Sequence, residues 1–153
     1  MLVIRGRKNK IVTSTRTMVL WALGLAAAVG AFLFSSLIWP PHPTVPHPTE
    51  AQIPFLIGLS VAEAVALGGG IVFLLSSWRF VGRLTALPPW VRWASYLSVG
   101  WLLVSWWAHD NLHIHHALNM WPLIIIEYVF HVSLMASGAI LAYAFCSLGT
   151  AHR

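Results

Sequence analysis

TMVLWALGLAAAVGAFLFSSLIW, the stretch from Thr17 to Trp39, contains no charged residue and runs straight into Pro40-Pro41. A helix needs about 20 consecutive apolar residues to cross the hydrocarbon core of a bilayer. Backbone in lipid must satisfy its own polar groups, so a helix is the expected form of such a run. The proline pair then ends it, because proline removes a donor and clashes with the preceding turn. A cleaved signal peptide has an apolar core of only about 7–15 residues and a small-x-small cleavage site. This run is longer and ends in Trp39-Pro40-Pro41-His42, so a retained anchor is expected.

Three more stretches have the same character, at about 52–78, 93–109 and 123–148. The expected fold is an all-α integral membrane protein, a bundle of four transmembrane helices forming one domain over residues 1–153. Composition agrees: 58% of the chain is hydrophobic and 8% charged, whereas soluble domains carry about 25% charged residues. So little polar surface cannot cover a globule in water, and lipid must serve as much of the solvent.

The formal charge of +5 could suggest nucleic acid, but its placement excludes that partner. Arg5, Arg7, Lys8, Lys10 and Arg16 precede the first run; Arg79, Arg83 and Arg92 occupy the second connection, and Arg153 ends the sequence. No basic stripe is left to follow a phosphate backbone. Short loops keep Lys and Arg on the cytoplasmic side. The basic segment 1–16 and both termini are therefore expected in the cytoplasm, with the spans in the cytoplasmic membrane of a bacterium or archaeon. The connections at 40–51 and 110–122 carry no Lys or Arg and are expected outside.

Most of the nine tryptophans fall near span ends, where amphipathic rings favour the headgroup layer. Cys146 is the one cysteine and reads as a small buried hydrophobe. Gly58, Ala62, Ala66 and Gly70 form a small-residue stripe on the second span, and Ala22, Ala26 and Gly30 a similar one on the first. Such stripes let helix backbones approach in lipid. The proline-dense 40–49 segment, with its two His-Pro-Thr repeats, is expected to be a stiff connector, whose His42 or His47 could cap a site from above.

Four residues of the spans and their ends demand partners. Glu63 and Glu127 lie inside spans, where a carboxylate costs at least about 2.5–3.5 kcal/mol near mid-membrane and marks a functional site by default. Glu127 and His131 share a helix face at i and i+4. His109-Asp110-Asn111-Leu112-His113-Ile114-His115-His116 is the densest motif, and if the third helix runs past the hydrocarbon, His109, His113 and His116 share a face. Two imidazoles at i and i+4 suit one metal ion, with Asp110 as ligand or as the group that orients an imidazole. At 1.5 Å per residue, Glu63 and His131 both lie about 12–15 Å below the outer ends of their spans. The expected site is thus a metal centre drawn from His109, Asp110, His113, His116, Glu127, His131 and Glu63, in the outer half of the bundle. Mixed imidazole and carboxylate donors suit Cu, Fe or Zn. A haem b held by His109 and His131 is the alternative cofactor.

Two membrane families carry related elements. His109-xxx-His113 resembles one histidine box of membrane desaturases and hydroxylases; the further boxes are missing, and theirs face the cytoplasm. Glu127-xxx-His131 resembles the carboxylate-x3-His element of copper membrane monooxygenases, whose further histidine would fall at Ala144. Each resemblance covers five residues, and neither transfers a function. The expectation is a subunit of a larger membrane redox or metal-handling complex, assembled with other subunits or its own copies, rather than an enzyme by itself. The alternative is a structural accessory subunit whose buried Glu/His network fixes helix packing.

Overall fold

The computed structural model describes the backbone of residues 3–83, 86–117 and 119–151, and the side chains of 15–83, 86–117 and 119–148. All regular structure among these residues is helical. Helix α1 spans Val3–Ile38 and α2 spans Ile53–Ser76; a four-residue helix α3 follows at Trp78–Val81. Helix α4 covers Pro89–His116, and α5 covers Met120–Glu127. A π-helical turn, Tyr128–Val132, joins α5 to α6, Ser133–Ala151.

Three segments are long and apolar enough to cross a membrane: Thr15–Ile38, Ile53–Ser76 and Met120–Leu148. Helix α4 has the length, but Ser95, Tyr96, Ser98, Ser105 and its tryptophans keep its hydropathy low. Its position explains how it tolerates them. Packing is serial, α1 on α2, α2 on α4 and α4 on α6, so α4 has a helix on each side. Tyr96, Ser98, Gly100, Ser105, His109 and Asn111 are all buried there. The Tyr96 hydroxyl donates to the Leu74 carbonyl of α2. Residues such as Phe55 and Phe145, 80% and 79% exposed, form the apolar outer faces expected against lipid.

Two helices extend beyond the apolar runs that mark them. Helix α1 is helical from Val3, so residues 3–16 lead into the first apolar run without a break. Helix α4 does not stop at His109 but continues to His116.

The packing stripes also differ. A Cβ on Gly24 would meet the Gly68 carbonyl oxygen at 2.9 Å, and one on Gly68 would meet Ala28 Cβ at 3.0 Å. A Cβ on Gly70 would meet Val104 Cγ1 at 2.6 Å. Gly58 and Gly30 face nothing within 4 Å. The α1–α2 seam therefore runs through Gly24, Ala28 and Gly68, one helical phase away from the Ala22-Ala26-Gly30 stripe. Of the two glycines in the expected α2 stripe, Gly70 makes such an approach, to α4, and Gly58 does not.

The first connection is pinned rather than merely stiff. His42 N donates to the Ile114 carbonyl at 3.1 Å, and His115 Nδ1 lies 2.7 Å from the Pro40 carbonyl oxygen. Trp39 packs edge-on against both Trp107 and His115. At the other end of α4, Leu87 and Val91 bury Ala144 of α6 in a small apolar cluster.

Candidate functional site

His109 and His113 stand one turn apart on α4, and Glu127 and His131 face them from the continuous helix made of α5, the π-helical turn and α6, the fourth helix hereafter. The His113 and His109 Nε2 atoms are 3.1 Å apart, and His113 Nε2 lies 3.3 Å from Glu127 Oε1. The other Glu127 oxygen meets His131 Nδ1. His109 Nδ1 is 3.1 Å from Asp110 Oδ1. With neutral rings, His113 Nε2–H donates to His109 Nε2 and His109 Nδ1–H donates to Asp110, while Glu127 lies within ion-pair range of His113 and His131.

The π-helical turn helps to bring these groups together. Such turns inside α-helices are rare and occur often at functional sites, because the surplus residue re-aims the side chains around it. Ser133 Oγ donates to the Phe130 carbonyl at 2.9 Å and accepts from Trp101 Nε1, also at 2.9 Å. Trp101 stacks on Phe130 at 5.7 Å between centroids, and Phe130 in turn packs 5.1 Å from the His109 ring. The His109 imidazole thus rests on an aromatic floor that bridges α4 and the π-helical turn. His109 is buried, whereas the side chains of Glu127 and His131 are 48% and 50% exposed along the seam.

A second polar group lies on the α1–α2 side of α4. Glu63 of α2 and Asp110 of α4 lie together there. Both line a cavity of about 70 Å³, together with Ser35, Ser60, Trp107 and Asn111. The Ser35 hydroxyl donates to Asn111 Oδ1, and Asn111 Nδ2 donates to the Trp107 carbonyl at 2.6 Å. The Trp107 indole N–H is buried without a partner.

The seven expected ligands therefore do not form one group. His109, His113, Glu127 and His131 make an imidazole-rich cluster. Glu63 and Asp110 make a carboxyl pair across α4. His116 packs edge-on against His115, 4.9 Å between centroids, rather than joining His109 and His113. Among the described residues, no group of three or more His, Cys, Asp or Glu side chains is disposed to hold a metal ion as it stands. His42 bonds to Thr44 within its own loop at 2.9 Å. Ala144, where the monooxygenase pattern would need its further histidine, is buried with Leu87 and Val91 at the other end of α4.

Sequence reasoning missed Ser35, Ser60, Asn111 and the aromatic floor. Ser60 had a usable signal, since it precedes Glu63 by three residues and shares its helix face. Serine is otherwise too common in packed spans to single out. No protein-family model, no curated protein and no solved structure matches this chain.

Proposed function

We propose that the chain is a four-span membrane protein, with both termini cytoplasmic, that holds a metal ion in the outer half between α4 and the fourth helix. In this reading it serves as a subunit of a larger membrane redox or metal-handling complex. The observation that carries it is the convergence of His109, His113, Glu127 and His131 from two helices at a π-helical turn. Metal–nitrogen bonds of about 2.0–2.1 Å set neighbouring donors of a tetrahedral site about 3.3 Å apart. The two separations at His113 Nε2, 3.1 and 3.3 Å, are of that size. Closing the site needs only rotation of the half-exposed Glu127 and His131 side chains and transfer of the His113 proton to Nδ1. An ion is favoured over haem b, because the His109 and His131 rings are 5.2 Å apart and leave no room for a porphyrin between them.

Charge placement supports the arrangement. The acids Glu50, Glu63, Asp110 and Glu127 all fall in or beside the outer half, and no Lys or Arg occurs between 17 and 78 or between 93 and 152. Helix α4 is about 42 Å long at 1.5 Å per residue, enough to cross with its neighbours. Its residues 93–109 are free of Asp, Glu, Lys and Arg.

Elemental mass spectrometry and a visible spectrum on protein purified in mild detergent test the proposal. Stoichiometric Cu, Fe or Zn, lost in His109→Ala and Glu127→Ala, is the expected result. Metal-free protein, unchanged in stability by added metals, would leave the second reading, a structural subunit. That reading draws on the polar contacts from His109 through His113 and Glu127 to His131, which tie α4 to the fourth helix without any ion.

A further inference from the structure

We infer a second cation site, of oxygen ligands only, at Glu63 and Asp110 between α1, α2 and α4, entered from the outer face. The inference does not rest on the imidazole reading and concerns the opposite side of α4. Glu63 is 9% exposed and lines the 70 Å³ cavity. Among the described residues no hydrogen-bond donor partners its carboxyl, and the Asp110 carboxyl lines the same cavity. A cation between the two carboxyls would supply the counter-charge they lack, since no Lys or Arg occurs between 17 and 78 or between 93 and 152. A buried carboxylate left without a counter-charge is strongly disfavoured.

The remaining lining decides the kind of occupant. Ser35 and Ser60 hydroxyls and the Asn111 amide oxygen complete a set made of oxygens, without an imidazole or sulfur among them. Hard cations such as Ca²⁺ take 6–8 oxygen ligands, mixing carboxylates, neutral oxygens and water. A water occupies about 30 Å³ in the liquid, so the cavity accommodates an ion with one or two waters. Two carboxylates match the charge of a divalent ion. Asp110 keeps one oxygen on His109, which leaves its other oxygen and both oxygens of Glu63 for the ion.

A route to the cavity is present. Above it lies a vestibule of about 340 Å³ that extends to Trp39 and Pro41 at the first connection. The two spaces share Phe32, Ser35, Leu56, Ser60, Asn111 and Ile114 in their walls. An ion from the outer side thus passes serine and asparagine oxygens before it meets the carboxyls.

Terbium, a hard oxygen-seeking stand-in for Ca²⁺, provides the probe, with emission excited through tryptophan because Trp107 lines the cavity. In the full chain in mild detergent, saturable emission that Ca²⁺ displaces is expected. Glu63→Gln should weaken binding at least tenfold and Ser60→Ala severalfold, while Glu127→Gln and His131→Ala bind as wild type. A cooperative thermal transition in Glu63→Gln excludes misfolding as the cause, and Ser60→Ala gives an independent reading if that variant fails to fold. Absence of saturable emission, or emission equal in wild type and both cavity variants, would overturn the site and leave a carboxyl pair bridged by a proton. Emission lost in Glu127→Gln but kept in Glu63→Gln would overturn it as well, by moving the ion to the imidazoles.

Discussion

His109 Nδ1 and Asp110 Oδ1 stand 3.1 Å apart, and this contact joins two polar sites on opposite sides of α4. His109 turns its other ring nitrogen toward His113 and the fourth helix, while Asp110 reaches Glu63 of α2. Adjacent residues of one helix therefore serve different neighbours, and the pair fixes which face of α4 each neighbour meets.

The four-span arrangement is open to direct test. In a Cys146→Ser background, single cysteines at Thr44 and Asn119 should react with a membrane-impermeant maleimide added outside intact cells. A cysteine at Arg83 should react only after the cells are opened. Labelling of Thr44 and Arg83 from the same side would exclude this topology.

Gly68→Ala should destabilise the protein by about 1–3 kcal/mol, the usual cost of overpacking a close contact. Its added methyl would press on the Gly24 backbone, which cannot rotate away. Gly58→Ala should leave stability unchanged or slightly raised, because open space surrounds it. Thermal unfolding in one detergent checks both variants.

His109→Ala should lower stability by about 1–3 kcal/mol, the cost of leaving buried hydrogen-bonding partners unmatched. His116→Ala should stay within about 0.5 kcal/mol of wild type, as surface substitutions do. It should also retain any bound metal, since His116 packs with His115 and not with the cluster. Unfolding curves and metal content on the same preparations separate the two histidines.

Ser133→Ala should cost about 1 kcal/mol and leave the Trp101 indole N–H without its acceptor. The same hydroxyl donates to the Phe130 carbonyl within the π-helical turn. Loss of the variant's near-ultraviolet tryptophan signal relative to wild type, with far-ultraviolet helicity kept, would report the loosened floor.

Length and charge made much of the fold legible. Thr17–Trp39 is unbroken and uncharged, and the segments beginning near Ile53 and Leu123 are equally apolar, so composition alone marks three crossing candidates. The end of α4 was hidden because Asp110 through His116 contain neither proline nor glycine, and a polar run does not show whether a helix stops or emerges. The seam residues were hidden for another reason. Gly24 and Ala28 compete with Ala22, Ala26 and Gly30 as small-residue faces, and only the partner helix selects between them. Glu127 and His131 were legible as a pair, since i and i+4 is a local relation. The separation of Glu63 from the imidazoles depends on how α4 is rotated between α2 and the fourth helix, and spacing within α4 carries no trace of that rotation. The π-helical turn has no sequence signature in Tyr128–Val132 at all.

In the four-span arrangement, the modest hydropathy of α4 has a consequence for biogenesis. A segment rich in Trp, Ser and His partitions weakly into lipid when it emerges alone. Shelter on one side comes from α2, which is already made; shelter on the other comes from α6, which is synthesised later. The segment bearing His109, Asp110 and His113 must then wait at the insertion machinery, or beside α2, until the last helix arrives. The helix that contributes most to both sites is thus held in place by assembly with its neighbours, and a truncation before α6 should leave it exposed to quality-control proteolysis.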